Sequence, residues 1–222
     1  GLPTDLYGLQ PNPGGYLAFL GRIAPEKRPD HAIEIAKRTG IPLRIAAKVD
    51  PMDQEYFRAK IEPLLSDPLI EYLGEITDDE KNDFLGQAMA LVCPYDWPEP
   101  FGLVLIEALA CGTPVLAYRR GSIPEIIDDG VTGFVCEGID EMTAAIQRIP
   151  EIKRRRCRRT FEQRFSVERM ANDYIRVYEQ AVGSSCEREA EAARFVGLAQ
   201  VVDVGQRLNV SSLRLRRGGG AE

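Results

Sequence analysis

Short, wholly apolar segments alternate with helix-forming segments along most of this sequence, and this alternation constrains the fold more than any other feature. The apolar segments are residues 16–23, 43–49, 70–73, 89–95, 114–118 and 133–136. They are apolar at consecutive positions, which is typical of strands covered on both faces. Strand and helix patterns alternate about every twenty residues, as in repeated βαβ units. We therefore predict an α/β fold, a Rossmann-like parallel sheet with helices on both faces.

The segments between these strands carry helix signals. Helices are predicted from Pro29 to Gly40, over 52–65, 77–85, 102–110, 140–149, 151–164 and 166–182, with a helical turn at 123–127. Thr77 and Glu80 form a capping-box pattern. Ser166 is a suitable N-cap for the helix that follows it. In parallel sheets of this kind ligands bind beyond the carboxyl ends of the strands, so the loops there form the candidate site.

The two ends of the chain differ from its middle. Residues 1–15 are rich in proline and glycine, without helix or strand periodicity, and we interpret them as the remnant of an interdomain linker. Residues 16–182 hold all the strand and helix patterns, and we expect them to form the ligand-binding domain. Residues 183–222 show no clear period and end in a glycine run, so we expect a poorly ordered tail.

Composition excludes several classes of protein. His31 is the single histidine, so sites that need two imidazoles are excluded. No apolar run reaches the roughly 18 residues of a membrane-spanning helix. The net charge is −6, while basic residues concentrate at 148–164, leaving an acidic body that argues against a nucleic-acid partner. The run KRRRCRR at 153–159 is either a solvated helix face or a surface attracted to anionic lipid head groups.

The cysteines and the opening residues bear on location. The five cysteines are scattered without a CxxC pair, which favours reduced thiols that serve as small core residues. The opening GLPTDLYG has neither a basic nor an apolar targeting segment. We expect a cytoplasmic protein, peripheral to a membrane if the basic run binds lipid.

One candidate site follows the first predicted strand, which ends GRIAPEK. Glycine loops of the GxGxxG or GxxxxGK[ST] type are absent from the sequence, so the usual phosphate cradles are missing. Arg22 and Lys27 instead place two cations at the carboxyl end of a strand. Arginine and lysine together can hold a diphosphate without a metal ion. Taken alone, these two side chains fit solvated loop charges better than a ligand site.

A stronger candidate is the segment EPFGLVLIEALACG at 99–112. Glu107 lies among apolar residues of the predicted helix, and burying a carboxylate there costs several kcal/mol unless a partner pairs with it. Glu99 precedes that helix, whose N-terminus favours an anion, and Gly102 allows a ligand to approach the backbone. The two carboxylates suit sugar or ribose hydroxyls. The alternative is that Glu99 caps the helix and Glu107 pairs with an arginine.

These motifs resemble a known family. GRIAPEK, followed about seventy residues later by EPFGLVLIEALACGTPV, is similar to the carboxyl-terminal, donor-binding half of a retaining GT-B glycosyltransferase of the family 4 type. GSIPEII, GVTGFV and FSVERMANDYIRVYEQ add to the resemblance, which covers roughly residues 1–182. It implies an enzyme that transfers a sugar from a nucleoside-diphosphate sugar to a hydroxyl acceptor.

The resemblance implies a role for each matching residue. Arg22 and Lys27 would hold the donor diphosphate in place of a metal ion, and with Glu99 they would form the catalytic group. Glu99 would accept hydrogen bonds from the donor sugar, and Glu107 from the ribose. Further contacts would come from Gly21, from Pro100, Phe101, Gly102 and Leu103, and, for the base, from the loop after Leu73. The nucleotide sugar is a substrate, so the resemblance implies neither cofactor nor metal.

Two departures from the family limit the prediction. Ala47-Lys48-Val49-Asp50-Pro51 stands where the family often has a Gly-Asp-Gly turn. Lys48 is either a phosphate contact or a solvated charge. The family's amino-terminal acceptor domain is also missing, so we expect weak nucleotide binding and little turnover from this chain alone. The alternatives are half of a phosphorylase or sugar-nucleotide epimerase, or a non-catalytic nucleotide-sugar-binding module.

Overall fold

A computed structural model describes residues 1–182 of the chain. The chain divides into two compact units, Gly1–Met170 and Ala171–Glu222. In the second unit residues 171–182 are helical. The predicted tail at 183–222 lies outside the described residues. The boundaries predicted after residues 15 and 182 stay predictions.

The first unit is built on a parallel six-stranded sheet, which confirms the predicted fold class. Each predicted strand is present within one or two residues of its predicted ends. The strands are β1 (Leu17–Arg22), β2 (Leu43–Lys48), β3 (Ile70–Gly74), β4 (Ala90–Cys93), β5 (Val115–Tyr118) and β6 (Gly133–Cys136). β1, β4, β5 and β6 are buried over most or all of their length, because helices cover both faces of the sheet.

The helices are α1 (Pro29–Thr39), α2 (Gln54–Tyr56), α3 (Asp78–Gly86), α4 (Leu103–Ala110), α5 (Ile123–Ile126), α6 (Ile139–Ile146) and α7 (Arg154–Arg164). Two predicted caps are confirmed. The backbone N–H of Thr77 donates to Glu80 Oε2 at 2.7 Å, which closes the capping box of α3. Ser166 Oγ accepts from the N–H of Arg169 at 3.1 Å.

The predicted α-helix over 52–65 is wrong in its details. The segment is a chain of short turns in which 3₁₀ geometry at Pro51–Asp53 precedes α2, π geometry at Phe57–Ile61 follows it, and 3₁₀ geometry returns at Glu62–Ser66. Pro63 has no N–H to donate within a helix, so regular α-helical hydrogen bonding cannot continue through it.

The strand order is β3-β2-β1-β4-β5-β6. The chain starts at the centre with β1, builds outward to β3, then returns to place β4 on the other side of β1. The order therefore reverses between β1 and β4. Loops leaving these two strands diverge, which opens a crevice at their carboxyl ends.

Residues 1–15 lie against this unit without forming a helix or a strand of their own, apart from a single bridge from Leu2 to Ser166. Tyr7 is buried. The N–H of Gly8 donates to Asn82 Oδ1 at 2.8 Å, and that of Gly14 to the carbonyl of Gln87 at 2.6 Å. The segment is thus fixed to the domain at several points.

Candidate functional site

A cleft of about 440 Å³ opens at the carboxyl ends of β1 and β2, where the topology predicts a ligand. It is bordered by the loops after β3 and β4 and by the start of α4. The charged side chains in its lining are Lys27, Lys48, Glu75, Asp78, Lys81, Glu99 and Glu107. Three residues singled out in the sequence, Lys27, Glu99 and Glu107, thus come together in one concave surface.

Lys27 and Glu99 form the central ion pair of the cleft. Lys27 follows β1 and Glu99 follows β4, so the crevice between these strands brings together residues 72 positions apart. Lys27 Nζ lies 2.5 Å from Glu99 Oε2, and both side chains are largely buried. The ammonium also lies 4.0 Å from the ring centroid of Tyr95 and 4.9 Å from that of Trp97. Two aromatic rings and one carboxylate therefore fix the position of this cation.

Trp97 contacts the carboxylate of the Lys27–Glu99 ion pair. Its indole Nε1–H donates to Glu99 Oε2 at 3.1 Å. The indole is partly buried and lies outside the cleft lining, and its hydrogen bond orients Glu99.

Glu107 is held by partners that the sequence did not reveal. Its Oε1 lies 3.3 Å from Lys81 Nζ on α3 and 3.4 Å from the hydroxyl of Tyr7. Burial lowers the pKa of Lys81, but the carboxylates of Asp78 and Glu107 outweigh that effect and raise it above its usual value. The helix carboxylate therefore has the partner that its burial requires, a lysine in place of the expected arginine.

The start of α4 is shaped by Gly102, which has a φ of +77°. A Cβ on this residue would lie 2.8 Å from Leu105 Cδ1 and 3.3 Å from Glu99 Cγ. The left-handed backbone conformation favours glycine here, and a side chain would also displace the tip of Leu105. Gly102 and Leu103 line the cleft, so the free N–H groups of the first turn of α4 lie beside the ion pair.

Arg22 lies beside the cleft and is absent from its lining. Its guanidinium contacts Glu26 Oε1 at 2.6 Å, Asp50 Oδ2 at 3.5 Å and Asp53 Oδ2 at 3.6 Å. A diphosphate contact from Arg22 would have to compete with these three carboxylates. The predicted pair of cations is thus divided in the structure, and only Lys27 reaches the cleft.

Pro100 and Phe101 face a second cleft of about 550 Å³, which also contains Glu99 in its lining. The ring of Phe101 packs edge-on against Phe165, with 6.4 Å between centroids. Glu99 therefore borders both clefts. The Leu73 side chain is exposed and outside the first cleft, where the neighbouring Glu75 and Ile76 line the wall after β3.

Gly21 and Lys48 complete the wall formed by β1 and β2. Gly21 lines this wall, and a Cβ on it would lie 3.7 Å from the hydroxyl of Tyr95, an ordinary van der Waals distance. Lys48 lines the cleft and lies 3.3 Å from Asp50 Oδ1. The Lys48 side chain is also exposed, so its position is compatible with both interpretations given by the sequence.

Two of the basic residues at 153–159 are not solvated. The buried guanidinium of Arg154 donates to Thr113 Oγ1 and to three carbonyl oxygens, those of Gln10, Gly86 and Ala88, at 2.6 to 2.9 Å. Arg158 donates to the carbonyls of Thr4, Tyr7 and Ala110. Lys153, Arg155, Arg156 and Arg159 are exposed. The prediction of one solvated face is therefore wrong for Arg154 and Arg158, because α7 turns both toward backbone carbonyls.

His31 lies in the first turn of α1 and is half-buried. Its Nδ1 lies 2.8 Å from the hydroxyl of Tyr118, and its Nε2 contacts the guanidinium of Arg28. Burial and the positive charge of Arg28 lower the pKa of His31 below its usual value.

Cys93, Cys111, Cys136 and Cys157 are free and buried, as predicted. Burial raises the pKa of each thiol to about 12. Cys186 lies outside the described residues. Among residues 1–182, the histidine, cysteine and acidic side chains form no group that could hold a metal ion. The helices of that same range include none long and apolar enough to cross a membrane.

Fold and cleft define a class of protein: a Rossmann-like α/β domain with its ligand cleft at the switch point of the sheet, the fold of one half of a GT-B glycosyltransferase. Residues 9–164 match the family described as glycosyl transferases group 1, and the chain belongs to that family.

Named relatives agree with this assignment. Over 137 residues the chain is 35% identical to D-inositol 3-phosphate glycosyltransferase of Mycobacterium marinum, a match that covers 59% of this chain and 29% of the relative. It is 36% identical over 88 residues to N-acetyl-alpha-D-glucosaminyl L-malate synthase of Bacillus anthracis, covering 36% of this chain and 23% of that enzyme. The matches thus span only about a quarter of each relative's length.

Solved structures show the same fold. HepE of Anabaena in complex with UDP superposes with a TM-score of 0.72 at 20% identity, covering 81% of this chain and 56% of that one. The C-terminal domain of a group 1 glycosyl transferase, LpcC of Francisella tularensis, superposes with a TM-score of 0.62 at 20% identity, covering 75% of this chain and all of that domain.

Proposed function

We propose that this chain is the donor-binding domain of a retaining glycosyltransferase that transfers a sugar from a nucleoside-diphosphate sugar to a hydroxyl acceptor without a metal ion. The observation that carries the proposal is the Lys27–Glu99 pair, which lies at the switch point of the sheet in the same cleft as Glu107. Family membership supports it, as do the named activities of the relatives and the UDP bound to HepE.

The chemistry follows from the charges of the cleft. In the transfer, the acceptor oxygen bonds to the anomeric carbon, and the bond from that carbon to the diphosphate oxygen breaks. The departing diphosphate takes the electron pair and gains negative charge, and the proton of the acceptor hydroxyl passes to the departing oxygen. Lys27 neutralises that charge, and the N–H groups at the start of α4 add to this effect. Lys27 fills the place that a metal ion takes in other sugar transferases.

The two carboxylates divide the recognition of the donor. Glu107 on α4 accepts hydrogen bonds from the ribose hydroxyls, with Oε1 occupied by Lys81 and Tyr7 and Oε2 left for the ligand. Glu99 accepts from the hydroxyls of the donor sugar. The base lies toward Glu75 and Ile76, after β3. Arg22 serves as a second diphosphate contact only if it leaves its carboxylate partners.

Two partners complete the proposal. An amino-terminal domain supplies the acceptor site, as in other two-domain enzymes of this architecture. The exposed basic residues Arg155, Arg156 and Arg159 attract an anionic membrane surface on the cytoplasmic side, which would suit a lipid-linked acceptor.

The test is calorimetric titration of the chain with UDP, GDP and ADP, with and without EDTA. We expect saturable binding that prefers one base and survives EDTA. Lys27→Ala should weaken that binding about 10- to 100-fold, because a charge-assisted contact contributes about 1.5–3 kcal/mol. Glu107→Ala should weaken it by a similar factor. Lys37→Ala is the matched control, because Lys37 lies on α1, outside the cleft lining, and also pairs with a carboxylate, that of Asp67.

Parental affinity in both site variants, with unchanged thermal stability, would refute the site. Binding that disappears in EDTA would refute metal independence. Retention is tested separately in the complete enzyme, by the anomeric proton coupling of the product in NMR. An inverted anomer would refute that part of the proposal.

A further inference from the structure

The turn that follows β5 makes two backbone contacts with Glu99. The N–H of Ser122 donates to the Glu99 carbonyl at 2.9 Å. Gly121, with a φ of +53°, packs so closely that a Cβ on it would lie 2.3 Å from the Glu99 carbonyl oxygen and 2.5 Å from the Glu99 nitrogen. Real Cβ atoms essentially never approach closer than 3.0 Å.

Contacts from another segment matter for Glu99 because its own loop offers few backbone hydrogen bonds to fix its position. It belongs to neither helix nor strand, and it stands between Pro98 and Pro100. Neither proline has an N–H, so these neighbours cannot fix the loop by donating hydrogen bonds. The contacts from the turn after β5 hold this part of the loop by its backbone.

We propose that Gly121 is a positioning residue for Glu99. Its lack of a side chain lets the turn after β5 press against the Glu99 backbone, which sets the carboxylate against Lys27 and the Trp97 indole. The inference deepens the proposed function, and one of its consequences rests on that function. Gly121 governs recognition of the donor sugar by Glu99 but not recognition of the nucleotide by Glu107.

Gly121→Ala tests the proposal, because its Cβ forces the Glu99 backbone or the turn to move by about 0.7 Å to reach the 3.0 Å limit. Gly130→Ala is the matched control. Gly130 has a similar left-handed φ of +71°, so alanine there is strained too, but its Cβ would meet nothing within 4 Å. The two variants therefore share the backbone strain and differ in the clash.

Trp97 is the chain's single tryptophan and donates to Glu99, so its fluorescence reports on this carboxylate without any ligand. We expect Gly121→Ala to shift the Trp97 emission maximum and its acrylamide quenching, and Gly130→Ala to leave both as in the parent. In calorimetry, Gly121→Ala should weaken binding of UDP-glucose about 10- to 100-fold and binding of UDP by a smaller factor, because UDP lacks the sugar that Glu99 contacts and depends on Glu99 only through Lys27. If the parent prefers GDP, then GDP and a GDP-sugar replace UDP and UDP-glucose in this measurement.

Equal Trp97 emission in the two variants would overturn the proposal, whatever the nucleotide affinity. A parent that binds none of the nucleotides refutes the proposed function, while the fluorescence comparison still decides the positioning role. If Gly121→Ala fails to fold, amide hydrogen exchange of the unmodified chain provides the test. A Ser122 amide that exchanges as fast as an unstructured one would overturn the proposal.

Discussion

Replacing the buried Arg154 by alanine should destabilise the domain strongly. Four groups accept hydrogen bonds from this guanidinium: the carbonyls of Gln10, Gly86 and Ala88, and Thr113 Oγ1. Truncation leaves three carbonyls without their donor, and each buried unsatisfied group costs about 1–3 kcal/mol. Partial entry of water offsets some of this, so we expect a loss of about 3–5 kcal/mol in the free energy of unfolding, in the range measured for breaking buried charged networks.

The assay is urea unfolding followed by circular dichroism, with Tm as a second measure. For a domain of this size the loss corresponds to a fall in Tm of about 6–20 °C. Arg155→Ala is the control, because Arg155 is exposed and is the next residue in the same helix, and a surface substitution of this kind should stay within about 0.5 kcal/mol. Arg154→Lys should show most of the same loss in the free energy of unfolding, since one ammonium cannot reproduce the planar, forked set of donors of the guanidinium. A loss for Arg154→Ala within about 1 kcal/mol of the control would refute the reasoning.

Two further predictions concern protonation and the membrane. The folded chain lowers the pKa of His31 below its unfolded value, so neutral His31 contributes stability that is present above about pH 6.5 and lost as the pH falls through its folded pKa. His31→Asn should therefore flatten the dependence of Tm on pH over that interval. An unchanged slope would contradict the prediction. Replacing Arg155, Arg156 and Arg159 together by glutamine should reduce co-sedimentation with vesicles of anionic lipid; binding that ignores the anionic lipid content would remove the membrane from the proposal.

The sheet was predictable because its information is local. Each strand lies in a short, mostly apolar segment, and α1, α3, α4, α5 and α6 each begin or end at a proline, a glycine or a cap that can be recognised within a few residues. Pro63 shows the limit of this approach, since the residues from 52 to 65 have helical spacing and only the missing N–H breaks the regular helix.

The site was predictable only in part. The sequence singled out Lys27, Glu99 and Glu107, because charges at strand ends or in an apolar helix demand an explanation. Their partners carry no such signal: Tyr7 lies 100 residues from Glu107 along the chain and reaches it only through the folded path of the amino-terminal segment. The burial of Arg154 was equally hidden, because its partners are mostly backbone carbonyls, which every residue possesses.

The reversal of strand order between β1 and β4 has a consequence for how the protein acquires its activity. Lys27 follows β1 and Glu99 follows β4, so each half of the sheet contributes only part of the cleft. The cleft forms only when β4 pairs with β1. It therefore forms late in any folding pathway that builds the two halves of the sheet separately. A nucleotide that binds this cleft should therefore protect against global unfolding by mass action, and the number of binding sites per chain should give the fraction of completely folded molecules.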